Sequence, residues 1–368
     1  MQENLFQNLA VPGIHGITPY QPGKPIEELE REYGITNVIK LASNENPLGP
    51  SPLSMAAARE ALTDIARYPD GGGFTLRSAL ALRFGVERDS ITLGNGSNDV
   101  LELVARAFVT SQDEVIYSEH AFAVYPLVTQ AIGARGVIVP ALNFGHDLVG
   151  MAAAVTPHTR LIFIANPNNP TGTWLTADAL ENFIRRLPSH VIVVVDEAYF
   201  EYVIDPDYPN SMNWLGRYPN MIVTRTFSKA YGLAGLRVGY SVSHPALADL
   251  LNRVRQPFNV NSIALAAATA ALADEDHLSR VRALNIGGMA DLTAGITTLG
   301  LDYIPSVGNF VAVDVGRLTG SIYEALLRQG VIVRPLANYG MPRHLRVTIG
   351  LAGENARFLD VLARVLRA

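Results

Sequence analysis

Several apolar runs in this chain end in residue types that could do chemistry. Ile91–Leu93 leads into Gly94-Asn95-Gly96-Ser97-Asn98-Asp99 at the head of a helical pattern, with Ser97 as the expected N-cap. Free amides at such a turn favour an anion, above all a phosphate, although a plain capped turn looks the same. It is no dinucleotide fingerprint, because Asp99 stands where the third Gly of G-x-G-x-x-G belongs. Leu161–Ala165 leads into Asn166-Pro167-Asn168-Asn169-Pro170-Thr171-Gly172, over-built for an ordinary turn, although turns favour these residues. Val191–Val195 leads into Asp196-Glu197-Ala198-Tyr199. A carboxylate at the end of a wholly apolar strand is costly without a partner, which could be a magnesium ion or a cationic ring nitrogen. The magnesium reading needs a Gly-Lys-Ser/Thr phosphate loop, and the sequence has none. Met221–Thr224 leads into Arg225-Thr226-Phe227-Ser228-Lys229, with Arg237 further on. A loop Lys is normally just solvated, but one in a desolvated or cationic site forms Schiff bases. Thr226, Ser228 and Arg237 would form a second wall of the anion site.

In order along the chain, these ends offer an anion site, an Asn, an acid with a nearby Tyr, and a Lys with an Arg. Pyridoxal 5'-phosphate needs this set: a Lys for the Schiff base, an Asp for the pyridinium nitrogen and a phosphate cradle. Each motif alone is weak, and the ordered combination is strong.

The elements that must position these residues are legible as alternating patterns. Ligands in an open α/β sheet sit beyond the carboxyl ends of the strands. Val115–Tyr117 and Gly136–Val139 are further apolar strands, and the all-Val/Ile run at 191–195 suits a strand covered on both faces. Ser51-Pro52 opens a helix, with Pro in its first turn. The expected fold class is α/β: a large doubly wound, mostly parallel sheet domain, a smaller C-terminal α+β domain and an N-terminal arm. The arm covers 1–50, with a short polar helix over Ile26–Tyr33, and packs with the small domain or a partner subunit. The large cofactor-binding domain covers 51–245 and the small domain 246–368. Within the latter, Pro245–Ala273 reads as mostly helical with a break near Pro257. Strands at Asn309–Val315, Val331–Arg334 and His344–Ile349 follow, with helices at Ser321–Gln329 and Glu354–Leu366.

Composition removes other classes. The 368 residues are 48% hydrophobic and 17% charged, which excludes disorder. The net charge of −5 comes without a basic tail or stripe, so neither nucleic acid nor an anionic membrane is an expected partner. With no Cys, disulfides, thiolate zinc, iron–sulfur sites and a Cys nucleophile are excluded. The eight His are scattered without metal spacing, and no metal is expected. Residues Met1 to Ala10 lack the basic start and apolar stretch of a secretory signal. Ile263–Ala273 is far shorter than the roughly 20 apolar residues of a membrane helix. A cytoplasmic location is expected.

The sequence resembles the pyridoxal-phosphate aminotransferases of the aspartate aminotransferase fold over nearly its whole length, and most of all the histidinol-phosphate branch. The carriers are Pro19-Tyr20-Gln21-Pro22-Gly23-Lys24-Pro25, Leu41-Ala42-Ser43-Asn44-Glu45-Asn46-Pro47, Arg67-Tyr68-Pro69-Asp70, the Asn-Pro-Asn-Asn-Pro-Thr-Gly loop, Asp196–Tyr199, Ser228-Lys229 through Arg237, and Leu345-Arg346-Val347-Thr348. The resemblance implies that Lys229 holds the cofactor and shuttles the proton, and that Asp196 pairs with the pyridinium nitrogen. It implies that Asn169 and Tyr199 bond the phenolate oxygen, and that Ser97, Asn98, Thr226, Ser228 and Arg237 hold the phosphate. Phe122 matches the ring that stacks on the pyridine, often a Tyr in relatives, so a hydroxyl contact is lost there. Tyr68 is expected to reach the phosphate of a partner subunit's cofactor, which implies a homodimer with shared sites. Arg346 matches the clamp on the substrate α-carboxylate. Tyr20 and Arg334 match positions that contact the substrate's own phosphate, and Asn44 is expected at the substrate.

The implied reaction is ping-pong amino transfer from L-histidinol phosphate to 2-oxoglutarate, giving imidazole-acetol phosphate and glutamate, a step of histidine biosynthesis. The alternative is an aromatic amino acid aminotransferase on the same scaffold. A pyridoxal-phosphate decarboxylase acting on a phosphorylated amino acid and a non-catalytic domain that kept the fold are further rivals. The intact Lys229, Asp196 and Arg237 set argues against the last.

Overall fold

The structure, a computed structural model, describes residues 3–19 and 23–367. Its centre is a seven-stranded sheet. In space the strands run Ile91–Gly94, Gly239–Ser243, Met221–Thr226, Ile192–Asp196, Thr159–Ala165, Glu114–Ser118 and Arg135–Val139. Neighbours pair in parallel except Gly239–Ser243, which is antiparallel to both of its neighbours. The central strand shows why this segment is apolar throughout. Val193 and Val195 enter one core while Ile192 and Val194 enter the core on the opposite face. A strand whose alternate side chains are both buried has no use for polar residues.

The strands Ile91–Gly94, Thr159–Ala165, Ile192–Asp196 and Met221–Thr226 run in the same direction, so their carboxyl ends lie along one edge of the sheet. That edge receives every motif singled out above. The strand Gly239–Ser243 is not marked as one by the sequence pattern. Its Gly-Tyr-Ser-Val-Ser sequence lacks an apolar run, and tertiary pairing on both sides makes it a strand.

A second, four-stranded antiparallel sheet has the order Arg334–Pro335, His344–Thr348, Phe310–Asp314, Asp302–Ile304. Leu292 and Ile296 from helix Glu275–Thr298, Ile322 and Leu326 from Thr319–Arg328, and Phe358 and Val361 from Ala352–Arg367 fill its core. The expected strand Val331–Arg334 is divided: Val331–Ile332 pairs in parallel with Ile39–Lys40, while Arg334–Pro335 joins the four-stranded sheet. The segment around residue 40 is thereby fastened to the C-terminal sheet's neighbourhood. The helix Ile26–Tyr33 forms as read, and Leu29 packs with Ala42, Leu327 and Ile332.

Packing does not change at residue 245, where the sequence reading drew a boundary. Helix Ser262–Leu272 puts Ala264, Ala267, Ala268 and Ala271 into the core of the seven-stranded sheet together with Ala58 of helix Pro52–Ala61. Leu251 of helix Pro245–Val254 packs on that sheet's other face. Alanine faces allow close helix approach, so a helix that reads as a separate unit docks back on the first core. Helix Glu275–Thr298, which the sequence pattern left unread, spans both cores: Leu278 and Val281 enter the first, Leu292 and Ile296 the second.

Candidate active site

A single cavity lies at the carboxyl edge of the large sheet, closed on its far side by the C-terminal sheet and by residues 42–44. One pole is built for an anion. Helix Ser97–Phe108 starts there, and Ser97 is its first helical residue, not its cap. Gly96 caps it at φ +80, a conformation open to glycine. A Cβ at Gly96 would lie 2.2 Å from Arg237 Nη2, and one at Gly239 would lie 2.4 Å from the Ser97 amide nitrogen. The missing side chains thus make room for guanidinium and backbone to converge. Arg237 Nη1 donates to Ser228 Oγ (3.3 Å), and the Ser228 amide donates to Thr226 Oγ1 (3.1 Å). A helix N-terminus, hydroxyls and a guanidinium in one cradle suit a phosphate dianion.

Asp196 marks a second pole. Its carboxylate accepts from Tyr125 Oη (2.9 Å) and Thr224 Oγ1 (3.0 Å). Burial pushes its pKa up, while these hydroxyls pull the other way. Both donors are neutral, so a cationic partner inside the cavity would offset the buried charge. Immediately behind, Glu197 and Arg225 form an ion pair (2.6 Å) with both side chains fully buried.

Lys229 lies between the poles. Its Nζ donates to the Ser43 carbonyl (3.0 Å) and stands 5.8 Å from the Tyr199 ring centroid. Burial, then the positive charge of Arg346, lowers its pKa to about 7. The Tyr199 hydroxyl accepts from Asn44 Nδ2 (2.9 Å) and from Asn169 Nδ2 (3.1 Å), so its own proton points elsewhere. Burial raises its pKa to about 12. Asn169 Oδ1 accepts from Arg346 Nη1 (2.5 Å), and the Ala42 carbonyl accepts from Arg346 Nη2 (2.7 Å). Thr348 Oγ1 bonds both the Asn44 amide nitrogen and Asn44 Oδ1. Residues 42–44, the Asn-Pro loop and the strand His344–Thr348 are thus tied into one wall.

The third pole carries Arg334 and Arg346, 7% and 6% exposed. A lysine poised to lose its proton, set between a phosphate cradle, a buried acid and paired arginines, is equipped to transfer an amino group. Residues 36–366 match the family model for aminotransferase class I and II. The chain belongs to this family. Histidinol-phosphate aminotransferase 1 of Nitrosococcus oceani is 62% identical over 366 residues, covering 100% of this chain and 99% of that protein. Histidinol-phosphate aminotransferase 2 of Pseudomonas aeruginosa is 58% identical, covering 98% of each. The crystal structure of histidinol-phosphate aminotransferase from Sinorhizobium meliloti with pyridoxal-5'-phosphate superimposes with a TM-score of 0.90 at 32% identity, covering 97% of each chain. Aspartate aminotransferase from Thermus thermophilus with maleate gives 0.81 at 25% identity, over 93% of this chain and 97% of that one.

In this aminotransferase, most residues singled out from sequence line the cavity: Ser97, Asn98, Phe122, Asn169, Asp196, Tyr199, Thr226, Ser228, Lys229 and Arg237, with Asn44, Arg334 and Arg346 opposite. Tyr68 does not. It is 82% exposed and stacks on Phe258 at 4.7 Å, outside the cavity. Tyr20 lies outside the described residues. Sequence reasoning missed Tyr125 and Thr224, which hold Asp196, and Tyr339, which lines the cavity beside Arg334. Thr224 carried a signal, since a polar residue inside an otherwise apolar strand invites a partner. Among the described residues, no group of three or more His, Cys, Asp or Glu side chains could hold a metal ion. None of the described helices is long and apolar enough to cross a membrane.

Proposed function

We propose that this chain is a pyridoxal 5'-phosphate-dependent histidinol-phosphate aminotransferase. It transfers the amino group of L-histidinol phosphate to 2-oxoglutarate, giving imidazole-acetol phosphate and glutamate in histidine biosynthesis. The observation that carries the reading is Lys229, with its lowered pKa, set between a phosphate cradle and two buried arginines.

The residues fit the cofactor. The cradle of Ser97, Asn98, Thr226, Ser228 and Arg237 would hold its phosphate, and the room that Gly96 and Gly239 leave is what such a group requires. Asp196 would pair with a protonated ring nitrogen. Tyr199, whose proton is turned away from Asn44 and Asn169, would donate to the phenolic oxygen with Asn169 alongside. Phe122 would stack on the ring. When bound, the cofactor supplies an electron-withdrawing ring that stabilises negative charge developing on the substrate's amine-bearing carbon.

The remaining work falls to the chain's own side chains. Lys229 Nζ, neutral above pH about 7, would take the proton from that carbon and deliver it on the cofactor side, the shift of one proton that amino transfer requires. Arg334 and Arg346 bind the anionic end: the phosphate of the amino donor, and a carboxylate of 2-oxoglutarate in the second half-reaction. Arg346 meets it from a fixed position, because Asn169 and the Ala42 carbonyl hold its guanidinium. Asn44 lines the cavity, and its side chain orients Tyr199. Phenylalanine and tyrosine bring only a monoanionic α-carboxylate to this pair, whereas a phosphate dianion can engage both buried guanidinium groups, which favours the phosphorylated donor. Tyr20 is assigned to the substrate phosphate on resemblance alone.

We place the enzyme in the cytoplasm as a homodimer. The dimer reading is supported by Tyr68, Phe258, Phe74 and Ile65, apolar rings and a side chain exposed away from the cavity. Tyr68 would reach a partner subunit's phosphate cradle. Light scattering tests it: a mass of one chain overturns the dimer.

The substrate reading is tested by transamination with 2-oxoglutarate, offering histidinol phosphate, phenylalanine and tyrosine in parallel. Strong preference for histidinol phosphate is expected. Equal or faster turnover of the aromatic amino acids overturns the substrate and leaves the cofactor chemistry standing.

A further inference from the structure

Three aromatic rings line the cavity among the described residues: Phe122, Tyr199 and Tyr339. Phe122 meets Tyr125 edge-on at 5.9 Å, and Tyr125 holds Asp196, so Phe122 belongs to the acid pole. Tyr199 is placed beside Lys229 by Asn44 and Asn169. Tyr339 enters the cavity from the side of the arginine pole, near enough to Tyr199 to influence its hydroxyl. It ends the single turn Ala337–Tyr339, just after the strand that carries Arg334. Its ring is 6% exposed and packs with Leu336, Met341 and Ala123, the residue next to Phe122. Nothing in the chemistry described above uses it.

We propose that Tyr339 reads the imidazole ring of the amino substrate, and that His120 is the positioning residue that sets it. This rests on the histidinol-phosphate reading. The amine-bearing carbon of that substrate must face Lys229, and its phosphate arm must face the paired arginines. The third arm, the imidazole, is left with the wall between Arg334 and Phe122, which is where Tyr339 packs. A phenol offers a planar heteroaromatic ring both a face for stacking and a hydroxyl that can donate to or accept from a ring nitrogen. 2-Oxoglutarate has no ring, so the same side chain gives it neither contact.

The position of Tyr339 is fixed by His120, on the segment that leads from the strand Glu114–Ser118 to Phe122. His120 is 7% exposed, and its Nδ1 donates to the Tyr339 carbonyl oxygen at 2.8 Å. The His120 carbonyl accepts in turn from Asn168 Nδ2 at 3.0 Å, next to Asn169. The turn bearing Tyr339 is therefore latched to the Asn-Pro loop, which also fixes Tyr199 and Arg346.

Steady-state kinetics of the holoenzyme test both assignments, with KM measured separately for histidinol phosphate and 2-oxoglutarate. Tyr339→Ala is expected to raise KM for histidinol phosphate about tenfold while KM for 2-oxoglutarate stays within about twofold. Tyr339→Phe, which keeps the packing, shifts the same ratio by a few-fold in the same direction. His120→Ala moves it likewise, and His120→Asn, which can donate to the same carbonyl, restores it. KM values that rise in parallel for both substrates, or that do not move in Tyr339→Phe and Tyr339→Ala, overturn the assignment of Tyr339. His120→Ala that leaves the ratio unchanged overturns the latch. Should Tyr339→Ala fail to fold, the Tyr339→Phe ratio decides. A wild-type enzyme that does not turn over histidinol phosphate overturns the substrate reading itself, a separate result from wild-type turnover with an unmoved ratio.

Discussion

Arg334 and Arg346 are register partners on adjacent antiparallel strands, and both are more than nine-tenths buried. Directly opposed residues in such a pair project to the same face, so two guanidinium groups share one end of the cavity. Like charges this close in a poorly solvated site repel, and an anion between them turns that repulsion into binding energy.

The first prediction concerns that pair. Arg334→Ala should raise KM for histidinol phosphate by roughly 10- to 100-fold, the loss of a charged hydrogen bond of about 1.5–3 kcal/mol. Arg334→Lys should recover only part of it, because an ammonium cannot present the planar fork. An unchanged preference for histidinol phosphate over phenylalanine in Arg334→Ala would show that the second arginine does not read the phosphate.

A second prediction follows from Lys229. Its folded pKa is about 7, depressed from 10.5. In the unfolded chain the amine keeps its proton up to pH about 10.5, so between these values the unfolded state binds more protons and stability rises with pH. The destabilising contribution is therefore fully present below pH about 7 and fades as pH climbs toward 10.5. Urea titrations of the cofactor-free protein should show this positive slope, and Lys229→Met should remove it. Capture of added pyridoxal phosphate by the cofactor-free protein, which needs the neutral amine, should rise through pH about 7 and level off. A rise that continues to pH 10 would mean that the site does not depress the amine.

Asp196 supplies the third. Asp196→Asn keeps the shape and removes the charge opposite the ring nitrogen. Turnover should fall by about 10²–10³-fold, the usual size of a lost preorganised electrostatic contact. Tyr125→Phe removes one of the two hydroxyl donors to the carboxylate and should weaken cofactor binding only about 2- to 10-fold. Equilibrium dialysis of the cofactor distinguishes the two, and equal losses would contradict the assigned hierarchy.

Much of this site was legible because its residues sit where apolar runs stop. Asp196, Asn169, Lys229 and the Ser97 turn each follow a strand whose Val/Ile content marks it as buried, so the sheet's carboxyl edge could be read off the chain. What could not be read depends on contacts between segments far apart in sequence. Tyr125 reaches Asp196 across 71 residues, and Asn44 reaches Tyr199 across 155. Tyr339 lies in a short turn with no pattern of its own. The Ala-rich helix Ser262–Leu272 is apolar on all sides, and that pattern says it is buried without saying under which sheet.

The last prediction concerns stability and the buried pair behind the site. Arg225 Nε and Nη2 both donate to Glu197 Oε2, at 2.9 and 2.6 Å, and the guanidinium lies 3.4 Å from the Phe200 ring centroid. Glu197 Oε1 also accepts from the Ser211 amide at 3.0 Å. Glu197→Ala leaves a buried guanidinium with Asn210 Oδ1 as a hydrogen-bond partner at 2.7 Å and Glu201 as its nearby acid, and removing one partner of such a pair typically costs about 3–5 kcal/mol. Replacing both at once, Glu197→Leu with Arg225→Met, removes the charges together and should cost less than Glu197→Ala alone. Urea unfolding of the three proteins reads the difference directly. A Glu197→Ala variant as stable as wild type would mean that the guanidinium finds water or another anion, and that the pair behind Asp196 is not closed to solvent.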